Sequence, residues 1–86
     1  MADQAAPTTL LAAVQSAWPV AVGEKIAAEA APVAERDGVV TVACSSATWA
    51  QELDLLGEEI GERLRSELPE RAALQGLRFR AGAEAV

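Results

Sequence analysis

Apolar and polar residues along the chain follow two different periods, and the points where the period changes outline the elements. Leu10, Leu11, Val14 and Trp18, at positions i, i+1, i+4 and i+8, fall along one buried helical face, with Thr8 or Thr9 placed to cap it. Pro19 is expected to interrupt or kink that helix. Beyond it, Glu24 to Glu29 is alanine-rich around Ile26 and predicts one or two further helical turns. Pro32 biases Ala31 toward extended backbone, and Val33 to Arg36 then runs as a strand into Asp37-Gly38, a dipeptide that suits the positive φ angles of a type I′ hairpin. The returning run Val39 to Cys44 alternates with period two, which sets Val40, Val42 and Cys44 toward a core and Val39, Thr41 and Ala43 away from it.

Ser45, Ser46 and Thr48 each offer an oxygen for the next helix N-terminus, and Thr48 with Gln51 has capping-box spacing. The stripe that follows is Trp49, Leu53, Leu56, Ile60, Leu64 and Leu68, in steps of four, three, four, four and four, and it predicts a single long amphipathic helix ended by Pro69. Glu59 and Arg63 have the favourable i, i+4 order on its outer side, while Gly57 and Gly61 weaken it. Residues 69 to 76 read as a connection. In Leu77-Arg78-Phe79-Arg80 the period returns to two, with the apolar residues inward and the arginines outward. The prediction is a small α+β domain over 8–82, its helices packed on one face of a three-stranded sheet, with a loose segment at 1–7 and a frayed tail at 83–86. The opposite sheet face, carrying Arg36, Val39, Thr41, Arg78 and Arg80, is left for solvent or a partner.

Composition narrows what that face can do. The formal net charge of the 86 residues is −6, which argues against bulk non-specific attraction to nucleic acid. Six of the 13 acidic residues, however, lie between Glu52 and Glu67, so a local basic patch is compatible with the total. There is no histidine, one cysteine and no G-x-x-x-x-G-K-[ST] phosphate loop. Histidine-based metal sites and triads, an internal disulfide and a P-loop are thereby excluded, and no catalytic site, cofactor, metal or small-molecule substrate is expected. No signal-like or bilayer-length apolar run occurs, so a cytoplasmic protein without membrane contact is expected. The candidate nucleic-acid contacts are Arg36, Arg78 and Arg80, with Lys25 as a weaker addition. Trp18, beside Pro19 at a predicted helix end, is the candidate partner anchor, whereas Trp49 and Cys44 read as core residues.

Taken in order, Trp18-Pro-Val-Ala-Val-Gly23, Asp37-Gly-Val-Val-Thr-Val42, Trp49-Ala-Gln-Glu-Leu53 and Leu77-Arg-Phe-Arg80 resemble the conserved domain of the bacterial DciA family, over roughly Leu10 to Gly82. The resemblance implies a KH-like fold and a non-enzymatic role in replication, in which the domain binds the replicative ring helicase, of the DnaB type, and assists its delivery onto DNA. The G-x-x-G loop by which KH domains clamp a nucleic-acid backbone is absent, so any DNA contact is expected on another surface. Two other readings stay open at this stage: a KH-like adapter associated with RNA or the ribosome, and a purely protein-binding adapter.

Overall fold

The computed structural model describes residues 9–69 and 72–82; the expected loose segment 1–7 and tail 83–86 lie outside them. The first helix, α1 (Leu10–Val22), is capped by Thr9, whose Oγ1 accepts from the Ala12 amide at 3.0 Å. Pro19 does not interrupt it. Proline forgoes its own N–H bond and crowds the carbonyl four residues back, but here it stands in the last turn, where few bonds remain to be disturbed, and the helix continues until Gly23, at φ 92°, turns the chain. A six-residue helix, α2 (Glu24–Glu29), leads into β1 (Ala30–Arg36). That strand starts three residues earlier than the sequence pattern suggested, because α1 holds its first half. Trp18 Nε1 donates to the Ala30 carbonyl at 2.8 Å and Gln15 Nε2 to the Pro32 carbonyl at 3.1 Å.

The hairpin forms where Asp37-Gly38 predicts it, with φ 52° and 87°, and β2 (Val39–Cys44) returns antiparallel to β1. Two further contacts make Gly38 specific. Its carbonyl accepts from the Gln75 amide at 2.8 Å, and a Cβ at this position would lie 2.9 Å from the Ala73 carbonyl oxygen. The turn is thus both a left-handed backbone position and a close approach for the segment entering β3 (Gly76–Ala81). β3 lies parallel to β2, so β2 is the centre of a β1-β2-β3 sheet.

The parallel crossover corrects the expectation of one long helix. The chain forms α3 (Ala47–Leu55), capped by Ser46 rather than Thr48, and then α4 (Gly57–Glu67), with an elbow at Leu56. Leu56 leaves helical geometry at φ −98° and ψ 11°, its amide reaching back to the Leu53 carbonyl at 3.0 Å, before Ile60 bonds to the Leu56 carbonyl and restarts the ladder. A straight helix over the same residues would run roughly 30 Å. The elbow lets α3 pack on β2 and β3 while α4 turns onto α1. The hydrophobic stripe keeps its phase through the break, and that is why periodicity did not reveal it.

The core lies between the helices and one sheet face: Val14 and Trp18 from α1, Val40, Val42 and Cys44 from β2, Leu53 from α3, Ile60 and Leu64 from α4. Leu74, in the stretch expected to be a mere connection, is also buried, and Arg65 Nε secures that stretch by donating to the Leu74 carbonyl at 3.2 Å. Trp49, expected in the core, is half-buried at its edge. No helix among the described residues is long and apolar enough to cross a membrane.

One irregularity decides which residues of β1 face away from the helices. Strict alternation would set Ala30, Pro32, Ala34 and Arg36 on one side, driving an arginine toward the core. Instead the register shifts between Pro32 and Ala34, leaving Val33 as an extra, exposed residue. Ala30 and Pro32 stay opposite Cys44 and Val42 on the helix side, while Ala34 and Arg36 pair with Thr41 and Val39 on the other.

Candidate functional site

The open sheet face can be read strand by strand from the register. β1 contributes Ala31, Ala34 and Arg36, β2 contributes Ala43, Thr41 and Val39 opposite them, and β3 contributes Arg78 beside Thr41 and Arg80 beside Ala43. Every other position on this face is small or β-branched, and no carboxylate stands among them. Arg36, Arg78 and Arg80 are exposed, while Val39, Thr41 and Ala43 are half-buried beneath. Neighbouring strands lie about 4.8 Å apart and successive residues on one side of a strand about 6.6 Å apart. The face is therefore a shallow platform with two arginines along one edge strand and a third at the far corner.

The nearest acids are turned away from the platform. Glu35 falls opposite Val40 on the helix side of the ladder, and its carboxylate accepts from the Gly38 amide at 2.7 Å. Among the described residues the one ion pair is Glu59–Arg63, on the outside of α4, so the three arginines form no ion pair with a described carboxylate. An arginine fork without a carboxylate partner is available for a phosphate or an acidic side chain. No aromatic ring among the described residues lies on the face, and these offer charge and hydrogen bonds rather than base stacking.

Two other candidates fall elsewhere. Lys25 sits on α2, next to Glu24, and is not part of the platform. Trp18 is 2% exposed, with its indole N–H used by Ala30. This burial corrects its assignment as a partner anchor: the helix passes through Pro19, so the ring faces the core instead of a frayed end. Cys44 is buried, and burial raises its thiol pKa more than the Arg80 backbone hydrogen bond lowers it, which disfavours the reactive thiolate. Among the described residues no three His, Cys, Asp or Glu side chains gather to hold a metal ion.

The helical layer presents the opposite chemistry. A groove of about 500 Å³ runs between the α3–α4 elbow and the start of β3, with Asp54, Glu58 and Glu62 along it against Arg65 alone. A phosphate backbone would meet a net negative wall there. Next to it Leu55 and Leu56 stand exposed, which the long-helix reading had concealed by assigning Leu56 to a buried stripe.

The family model described as Dna[CI] antecedent, DciA, matches residues 3–79. No curated relative matches the chain.

Proposed function

The chain belongs to the DciA family, a membership that ties it to DNA replication and the DnaB helicase, and from that premise we propose that it is a non-enzymatic accessory protein. In this reading it binds the replicative helicase, assists its loading onto DNA and works in the cytoplasm. The family match over 77 residues, 3 to 79, carries the proposal. A chain without histidine, without a phosphate loop and with its one cysteine buried is suited to act by binding.

The same reading places single-stranded DNA on the open sheet face. Arg78 and Arg80 on β3 and Arg36 on β1 supply phosphate donors, and Thr41 supplies a hydroxyl between them. The absence of acids among the described residues of this face and the acid-lined groove on the helical side favour it over the groove as the place for DNA. Three phosphate contacts form a small site, consistent with a transient guide for a strand rather than a tight clamp.

A loading assay tests both parts. Wild-type protein is expected to raise the amount of cognate helicase assembled on single-stranded DNA, and Arg78→Glu/Arg80→Glu is expected to keep helicase binding while losing most of the stimulation. A wild-type protein that neither binds nor stimulates the helicase would falsify the proposal. Stronger binding of single-stranded RNA than of DNA by the same face would shift it toward an RNA-associated adapter.

A further inference from the structure

The α3–α4 elbow carries the largest exposed aliphatic side chains of the described residues. Leu55 is 79% exposed and Leu56 44%. Leu55 contributes almost nothing to the core and Leu56 only the covered part of its surface, and exposed apolar patches on small domains mark contact surfaces. Leu56 also forms one wall of an apolar dimple of about 140 Å³, completed by Val22, Ile26 and Ile60. The end of α1, the start of α2 and the elbow thus make one apolar surface, on the side of the molecule away from the arginine platform.

The charge around it says what fits. Asp54 and Glu58 flank the leucine pair in the chain, with Arg65 farther along their groove and held to the Leu74 carbonyl; Glu59 stands on the rim of the dimple, and the one cation among its described lining residues, Arg63, is paired with Glu59 at 3.4 Å. Nucleic acid is a poor occupant, since these carboxylates oppose phosphate and leucine side chains stand where a phosphate-binding loop needs bare backbone N–H groups. The complementary surface is an amphipathic helix with apolar anchors at i and i+3 or i+4 and lysines or arginines beside them.

We propose that the Leu55–Leu56 elbow, with Val22 and Ile26, is the docking surface for a basic amphipathic helix of the protein partner. This rests on the helicase reading above for the partner's identity. The molecule then divides its work between two sides, protein on the acidic helical layer and nucleic acid on the arginine-bearing sheet.

Binding of the cognate replicative helicase to the full chain, measured by biolayer interferometry, tests the assignment. Leu55→Ser should stay folded, because the side chain is mostly in water, and should weaken binding about tenfold or more, as loss of an interface anchor does. Asp54→Lys/Glu58→Lys should weaken it by a similar factor, most at low salt. Val33→Ser removes an exposed apolar side chain on β1, far from the elbow, and should leave affinity unchanged. If wild type binds and both elbow variants, confirmed folded by thermal melting, bind equally well, the elbow is wrong and the helicase reading survives. If wild type does not bind, both fall together. Backbone NMR of the wild type with helicase added gives an independent map: broadening at 22–26 and 54–60 supports the elbow, and broadening confined to 31–43 and 76–81 overturns it.

Discussion

The sheet face and the helical layer are built from the same short chain and have opposite surfaces. On the sheet, three arginines stand over alanine, threonine and valine with no acid among the described residues of that face; on the helices, six carboxylates lie between Glu52 and Glu67, along the same two helices as two exposed leucines. A net charge of −6 describes neither. What it conceals is a segregation made by topology: β1 and β3 flank β2 and turn their arginines away from the core, while the crossover between β2 and β3 carries the acids on its outer side. Total charge bears on solubility and long-range steering, but local recognition here depends on which side of one core a residue falls.

The comparison fails altogether if the core that separates the faces is lost. Trp18→Ala removes the largest core side chain and the indole donor to Ala30, at a cost of about 3–5 kcal/mol. Natural domains have only about 5–15 kcal/mol in total. Thermal denaturation followed by circular dichroism should show a large loss of stability, with binding by both faces impaired together. A mild effect would mean that the ring is not the keystone between α1 and β1.

Charge reversal separates the faces without unfolding the chain. Arg78→Glu/Arg80→Glu should weaken single-stranded DNA binding by about 2–3 kcal/mol, roughly 100-fold, with little change in melting temperature. Fluorescence anisotropy checks this. With three phosphates neutralised, wild-type affinity should fall about 20-fold between roughly 50 and 200 mM salt, and the double variant should show a much flatter dependence. A wild-type affinity insensitive to salt would remove the sheet face from consideration.

These outcomes bear on how far the sequence alone could be read. The hairpin, the inward valines of β2 and the outward arginines of β3 were legible because each is a local signal, a turn dipeptide or a two-residue alternation, that the tertiary structure leaves intact. Trp18 and Leu56 were misread for the reverse reason. Their fates depend on non-local packing: Trp18 is drawn into the core by its bond to the Ala30 carbonyl on β1, and the long helix breaks because its two halves pack on different partners. The exposed elbow carries no periodic signal, since Leu56 falls on the stripe and Leu55 beside it.

Two smaller effects sharpen the picture of the frame. Gly38→Ala places a side chain at φ 87° and against the 73–75 segment, and should cost at least about 1–2 kcal/mol in chemical denaturation. Because the same turn positions the entry to β3, DNA binding should weaken more than helicase binding. Cys44 supplies the least. Its thiol pKa is raised by burial, so the unfolded chain releases the proton first. Stability is complete below the unfolded thiol value of about 8.5 and declines as pH rises beyond it toward the higher folded value. Denaturant midpoints taken across that range should fall, and Cys44→Ala should reduce the slope.

The extra residue at Val33 gives β1 a property that its amino-acid types do not. Seven residues of β1 run against six of β2, and the surplus is absorbed in a single step that lets one half of the strand serve the interior and the other half the exterior. Were β1 to slide by one position at the hairpin end, Glu35 would stand where Arg36 now does, and a cation would become an anion at that corner of the platform. The sign of the charge offered to a ligand is therefore held by chain length between Pro32 and the turn. A one-residue insertion between Arg36 and the turn would carry Arg36 round to the helix side and take its cation off the platform without altering a single existing side chain.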